Sequence, residues 1–155
     1  MGKKKIHIIE DEEDIITLLT FHLEKEGYKV SASTTGIDVI NKVTKIMPDM
    51  ILLDLMIPES DGFEICQKLK QENHTKHIPI IMLTAKNEES MVVAGLELGA
   101  EDYMTKPFSV PILIARIRKA LRKASVKEDY KKIIINDLVI NQKTHDVYIK
   151  DKKIN

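Results

Sequence analysis

Short uninterrupted apolar runs alternate along the chain with stretches that are apolar on one face only. Ile6–Ile9 is the first run and reads as a buried strand. It is followed from Glu12 to Glu26 by Ile15, Ile16, Leu18, Leu19, His22 and Leu23 at helical spacing, with Gly27 as the stop. Tyr28–Ser33 reads as a second strand. Gly36–Met47 reads as a helix with Val39, Ile40, Val43 and Met47 turned inward. Met50–Leu53 is apolar throughout and ends on Asp54. A loop from Pro58 to Gly62 leads into a helix over about Phe63–Glu72. Ile78–Leu83 is a fourth strand, Asn87 caps a helix from Glu88 to about Leu98, Asp102–Thr105 is a fifth strand, and Ser109 caps a helix to about Lys123.

Five strands alternating with five helices imply a parallel sheet covered on both faces, because parallel strands need crossovers and the crossovers are helical. The expected fold is α/β, a flavodoxin-like doubly wound sheet of five parallel strands in the order 2-1-3-4-5. A second pattern begins near Ala124. Residues 1–123 form the expected α/β domain and the polar, lysine-rich stretch 124–131 a linker. Residues 132–155 contain three β-like runs, Ile133–Ile135, Leu138–Ile140 and Val147–Ile149, separated by turn-forming residues. A few short strands are marginal in water by themselves. This segment is therefore expected to be the start of something larger.

The 155 residues include 24 Lys plus Arg against 24 Asp plus Glu, so net charge points to no particular partner. The single cysteine, Cys66, excludes an intrachain disulfide and fits a cytoplasmic protein. No apolar run resembles a signal peptide or a membrane span, so no membrane partner is expected.

The candidate chemistry lies at strand ends. Glu10 and Asp11 follow strand one and Asp54 ends strand three. In the order 2-1-3-4-5 these are the strands flanking the switch point, where open parallel sheets bind ligands. Clustered carboxylates repel one another unless neutralised, and a hard divalent cation such as Mg²⁺, which prefers six oxygen ligands, would do so. Thr84 ends strand four and Lys106 follows strand five, so both are expected at the same crevice. Pro107 is a candidate for a cis bond aiming Lys106 inward. Any one of these residues has an ordinary explanation as a cap or turn, so the inference rests on the set. A flavin or nucleotide binder of the same fold is disfavoured, because the loop after strand one is acidic where phosphate needs amides.

Four segments together resemble the response-regulator receiver domain of two-component signalling: Ile8-Ile9-Glu10-Asp11-Glu12; Leu52-Leu53-Asp54-Leu55-Met56-Ile57-Pro58 with Asp61-Gly62; Met82-Leu83-Thr84-Ala85; and Gly99-Ala100-Glu101-Asp102-Tyr103-Met104-Thr105-Lys106-Pro107-Phe108. The resemblance implies that Asp54 is a phosphoacceptor served by a sensor histidine kinase. It implies that Glu10, Asp11, Asp54 and the backbone carbonyl of Met56 hold Mg²⁺, that Thr84 and Tyr103 form a switch pair, and that Lys106 contacts the phosphoryl group. Such a protein is a switch rather than an enzyme.

Leu96–Ala100 and Ala115–Arg118 are similar to the OmpR/PhoB group. That group forms homodimers through helix four, strand five and helix five, and binds promoter DNA through a C-terminal winged helix. Asp102 and Arg116 match one ion pair of that dimer face. The chain departs from the group in two respects. Glu10 stands where Asp is commoner, which suggests a water-mediated metal contact. Val92 and Ile112 stand where an Arg–Glu pair is frequent, so the two are either an apolar dimer contact or core-facing. Residues 132–155 would supply only the first strands of a winged helix, with no recognition helix. The alternative is a stand-alone receiver acting through protein contacts.

Overall fold

A computed structural model describes residues 2–85 and 89–150. Its elements alternate: β1 (Lys5–Ile9), α1 (Glu13–Lys25), β2 (Lys29–Ser33), α2 (Val39–Ile46), β3 (Met50–Asp54), α3 (Gly62–Gln71), β4 (Ile80–Thr84), α4 (Glu89–Glu97), β5 (Asp102–Thr105) and α5 (Val110–Lys150). The strands form one sheet in the order β2-β1-β3-β4-β5. All pairings are parallel, with Ile8 level with Leu52 and Leu53 level with Met82. The expected fold class and strand order are therefore both present.

The period-two alternation of a strand sends successive side chains to opposite faces. Here both faces are covered, so both sets are apolar. Ile9, Ile51, Leu53, Ile80, Met82 and Tyr103 pack with Val39 and Val43 of α2 and with Ile65, Cys66 and Leu69 of α3. Ile6, Ile8, Met50, Leu52, Ile81, Leu83 and Met104 pack on the other face with Leu19 and Leu23 of α1 and with Leu113 and Ile117 of α5. Fully burying such a side chain contributes about 1.5–3 kcal/mol.

The helix ends have local causes. Asp61 caps α3, its carboxylate accepting from the Phe63 amide at 2.8 Å. The Ser109 hydroxyl accepts from the Ile112 amide at 3.4 Å, at the start of α5. The chain leaves α4 through Gly99, whose φ of +104° suits a residue without a Cβ.

Several sequence expectations are corrected. α2 begins at Val39, not Gly36, because Asp38 adopts a left-handed conformation at its N-cap. Met47 also takes left-handed φ; it closes the helix and stays 38% exposed instead of turning inward. Leu18 lies on the outer face of α1 at 44% exposure. The Asn87 cap and the start of helix four at Glu88 lie outside the described residues, as do residues 151–155.

The largest difference concerns the second unit of the chain, Arg122–Asn155. Residues expected to be a linker at 124–131 and strands from 132 onward are helical through Lys150. The stretch Lys123–Lys132 lacks Gly and Pro and is rich in good helix formers. A helix closes its hydrogen bonds within itself, whereas a strand needs a paired neighbour, and the one sheet among the described residues contains none of this segment. Val126, Tyr130, Ile133, Ile134, Ile135 and Leu138 are exposed on this helix. No helix among the described residues is long and apolar enough to cross a membrane.

The sheet also contains one buried polar cluster. The His7 ring bonds Ser31 Oγ at 2.7 Å through Nδ1 and Ser33 Oγ at 2.8 Å through Nε2. Burial, reinforced by the charge of Lys42, lowers its pKa from 6.5 to about 4. Above pH 6.5 the ring is neutral whether the chain is folded or unfolded. As pH falls from 6.5 toward 4 the unfolded chain takes up the proton first, so stability declines across that window. The loss expected from His7 approaches roughly 3 kcal/mol once pH is below the folded value. Urea unfolding at stepped pH should therefore show a flatter profile between these limits for His7→Gln than for the parent, and identical profiles would count against the assignment.

Candidate metal and phosphoryl site

The carboxyl ends of β1, β3, β4 and β5 converge on one crevice. Asp54 is the last residue of β3 and is 3% exposed. Its Oδ1 accepts from the Met56 amide at 3.0 Å, and its Oδ2 accepts from Lys106 Nζ at 3.2 Å. Gly62 permits this arrangement. A Cβ there would lie 2.6 Å from Leu55 Cα and 3.1 Å from the Asp54 carbonyl oxygen, so only glycine lets α3 start so close to the end of β3.

Glu10, just beyond β1, is 1% exposed. Its Oε1 accepts from Lys106 Nζ at 2.6 Å and its Oε2 from the Glu12 amide at 3.2 Å. Burial, together with the neighbouring Asp54 carboxylate, pushes the Glu10 pKa up to about 7, against the pull of Lys106. Asp11 is exposed at the mouth. Glu10, Asp11 and Asp54 each bring a carboxylate oxygen within 4.8 Å of the others. Three hard oxygen donors at this spacing, two of them buried, suit a divalent cation such as Mg²⁺.

Lys106 is the cation that faces these acids. Burial works against its charge, but the Glu10 hydrogen bond and the Asp54 charge outweigh it and hold its pKa above the ordinary value. The backbone aims it. The Lys106–Pro107 bond is cis, and the Lys106 amide donates to the Thr84 carbonyl at 2.7 Å, fixing the turn after β5 to the end of β4. Thr84 is fully buried at that end. Tyr103 is 8% exposed, within the core beneath α3 and α4.

The dimer-face candidates are divided. Arg116 lies 3.5 Å from Asp102 and donates to the Tyr103 carbonyl at 3.3 Å, so both bonds are made within one chain. Val92 packs partly against the core, whereas Ile112 is 50% exposed. The two open readings thus separate: Val92 is core-facing and Ile112 is free at the surface.

Sequence reasoning assigned no role to Glu12, whose carboxylate is 3.8 Å from Lys106 Nζ. The signal was available in the run of three acids Glu10-Asp11-Glu12 after β1. It also did not find the contact from Arg116 to the β5 backbone, which no side-chain pattern announces.

Comparison with known proteins gives a consistent result. Residues 6–118 match the response regulator receiver domain family. The chain is 42% identical over 160 aligned positions to the alkaline phosphatase synthesis transcriptional regulatory protein PhoP of Bacillus subtilis (strain 168). It is 39% identical over 150 positions to the phosphate regulon transcriptional regulatory protein PhoB of Rhizobium meliloti (strain 1021). Each alignment covers 97% of this chain and 66% of the relative, so the chain spans just under two thirds of their length. Among solved structures, the BeF3-activated N-terminal receiver domain of Klebsiella pneumoniae RstA superposes with a TM-score of 0.71 at 32% identity, covering 77% of this chain and 99% of that one. A two-component response regulator from Clostridium difficile gives 0.72 at 30% identity, covering 77% and 97%. The fold, the strand-end acids around Asp54 and these similarities agree: the chain belongs to the response regulator receiver domain family.

Proposed function

We propose that the chain is a Mg²⁺-dependent phosphorylation switch in which Asp54 accepts a phosphoryl group from the phosphohistidine of a sensor histidine kinase. The observation that carries this reading is the Asp54 carboxylate itself. It is buried at a strand end, anchored through one oxygen, and faced by an ammonium and two further carboxylates.

The Met56 amide holds Oδ1 and thereby orients Oδ2 toward the crevice. Oδ2 is the attacking atom: its bond to phosphorus forms as the bond from phosphorus to the histidine nitrogen breaks. Asp11, Asp54 and the Met56 carbonyl would hold Mg²⁺, with Glu10 reaching it through water. The ion's chemistry is the neutralisation of charge on the phosphoryl oxygens. Lys106 supplies a second positive charge to those oxygens once it is released from Glu10 and Asp54. The burial of Asp54 and Glu10 strengthens these electrostatic effects by excluding water. Hydrolysis of the acyl phosphate returns the carboxylate, so the chain turns over only its own modification.

The output follows from the elements touching the crevice. Thr84 lies on β4, and the Lys106 turn hydrogen-bonds its carbonyl. A phosphoryl oxygen drawing the Thr84 hydroxyl would bias β4, α4 and β5, with Tyr103 as the side chain that senses the change. The outer surface of these elements, with Asp102 and Arg116 exchanging their partners and Ile112 exposed, is the proposed homodimer face. Transcriptional control through promoter DNA is proposed by analogy with the two relatives and would require a complete C-terminal domain.

Two outcomes are expected. Incubation with acetyl phosphate and Mg²⁺ should add one phosphoryl mass to the intact chain. No addition to the parent, or equal addition to Asp54→Ala, would refute the central step. Ile112→Asp should leave the denaturation midpoint within about 0.5 kcal/mol of the parent, because its side chain is half exposed. It should nevertheless weaken phosphorylation-dependent dimerisation in sedimentation, and unchanged dimerisation would remove Ile112 from the interface. Val92→Asp is the poorer probe, since Val92 packs against the core.

A further inference from the structure

Beside the phosphoryl site, but not part of it, lies an apolar groove of about 530 Å³. Its walls are Leu55, Met56 and Ile57 from the loop after β3, Phe63 from α3 and Met91 from α4. Met56 is 56% exposed at the rim, although apolar side chains elsewhere in this loop are buried. Two methionines and a phenylalanine make a wall that adapts to an apolar guest, because the unbranched thioether side chain repacks at little cost.

The rim carries one sign of charge. Residues 55–64 contain Glu59, Asp61 and Glu64 and no Lys or Arg, and α4 contains Glu89 and Glu97 and no basic residue. Asp61 is partly committed, since its carboxylate caps α3. Glu59, Glu64 and Glu89 are exposed, and among the described residues none of the three is in an ion pair. The groove opens between a loop and two helices, away from the free edges of the sheet at β2 and β5. An extended peptide would find no strand to pair with there. A helix brings its own backbone hydrogen bonds and offers only side chains, at i, i+3, i+4 and i+7.

We propose that this groove is a docking site for a basic amphipathic helix of a partner protein. An apolar residue would seat among Met56, Phe63 and Met91, with Lys or Arg facing Glu59, Glu64 and Glu89. The site is independent of phosphoryl transfer: none of its walls supplies a carboxylate to the crevice. Its wall nevertheless begins at the residue after Asp54, so an occupant would sit against the loop that orients the phosphoacceptor.

The test uses the full chain without Mg²⁺ or phosphodonor, which separates it from the reading of Asp54. The probe is a synthetic Leu/Lys amphipathic helix of roughly five turns, with a Leu/Glu helix of the same apolar spacing and a scrambled Leu/Lys peptide as controls. Binding is followed by methionine methyl resonances, because the methionines mark different places. Met56 and Met91 line the groove, Met47 is an exposed methyl on α2, and no methionine follows Met104. The expected result is saturable shifts at Met56 and Met91 with the Leu/Lys helix, no such shift at Met47, and no saturable binding of either control. Met91→Asp should weaken binding at least about tenfold, as one buried apolar anchor is lost. The surface double variant Glu64→Lys/Glu89→Lys should weaken it too and make the residual binding insensitive to salt. Saturable binding without shifts at Met56 and Met91, equal binding of the acidic or scrambled helix, or undiminished binding by both variants would overturn the proposal.

Discussion

One ammonium group balances the carboxyl end of the sheet. Lys106 Nζ stands 2.6 Å from Glu10 and 3.2 Å from Asp54, two carboxylates that are almost wholly buried. Unpaired, either acid would be costly to hold in the interior, and the pair would repel each other. The parallel sheet makes the arrangement possible, because it directs the ends of β1, β3 and β5 to the same side. The balance is incomplete, however. Glu10 keeps a pKa raised to about 7 despite its contact with Lys106, which shows that one positive charge does not fully compensate the cluster. A site left with surplus negative charge and oxygen donors is one that a divalent cation completes.

The same residues that balance charge also fix the geometry. Lys106 is placed by a cis peptide bond and by its amide bonded to Thr84, so its position depends on the β4–β5 pairing. Asp54 is placed by the Met56 amide and by the close start of α3 at Gly62. A change in charge on Asp54 therefore acts on Lys106 directly and reaches Thr84 through the Lys106 backbone, without a chain of intervening side chains. The strands that carry these groups also carry Tyr103, Asp102 and the backbone oxygen held by Arg116. Local electrostatics and the outer surface of β5 are thus two sides of one short strand.

The sheet and most of the site were legible because both follow from short-range patterns. Five apolar runs of strand length separated by helical periodicity leave few topologies, and a residue at the end of a buried strand has nowhere to point but the crevice. Glu10, Asp54, Thr84 and Lys106 meet for that reason. What failed depended on partners that pattern does not reveal. Ile133–Ile135 has β-branched composition, yet a strand requires a neighbour to bond with, and a helix does not. Val92 and Ile112 were indistinguishable as apolar residues on helices. Only the packing of α4 and α5 against the sheet separates one that faces the core from one that faces solvent. Met47 was assigned inward by spacing, but spacing ceases to apply once the backbone turns left-handed.

The division between Val92 and Ile112 bears on how such a surface evolves. An exposed ion pair across an interface contributes little, about 0–1 kcal/mol, because water already solvates both partners. Replacing it with two aliphatic groups need not leave both at the surface. Here one has been taken into the core, where it adds to the stability of a single chain, and the other remains outside. The exposed Ile112 is then available to a second copy without the orientation demands of a salt bridge, while Asp102 and Arg116, paired within the chain, retain the polar specificity. Such a face trades a directional charge contact for a smaller apolar one, and leaves the choice of partner to the single ion pair that can be made either within a chain or between two.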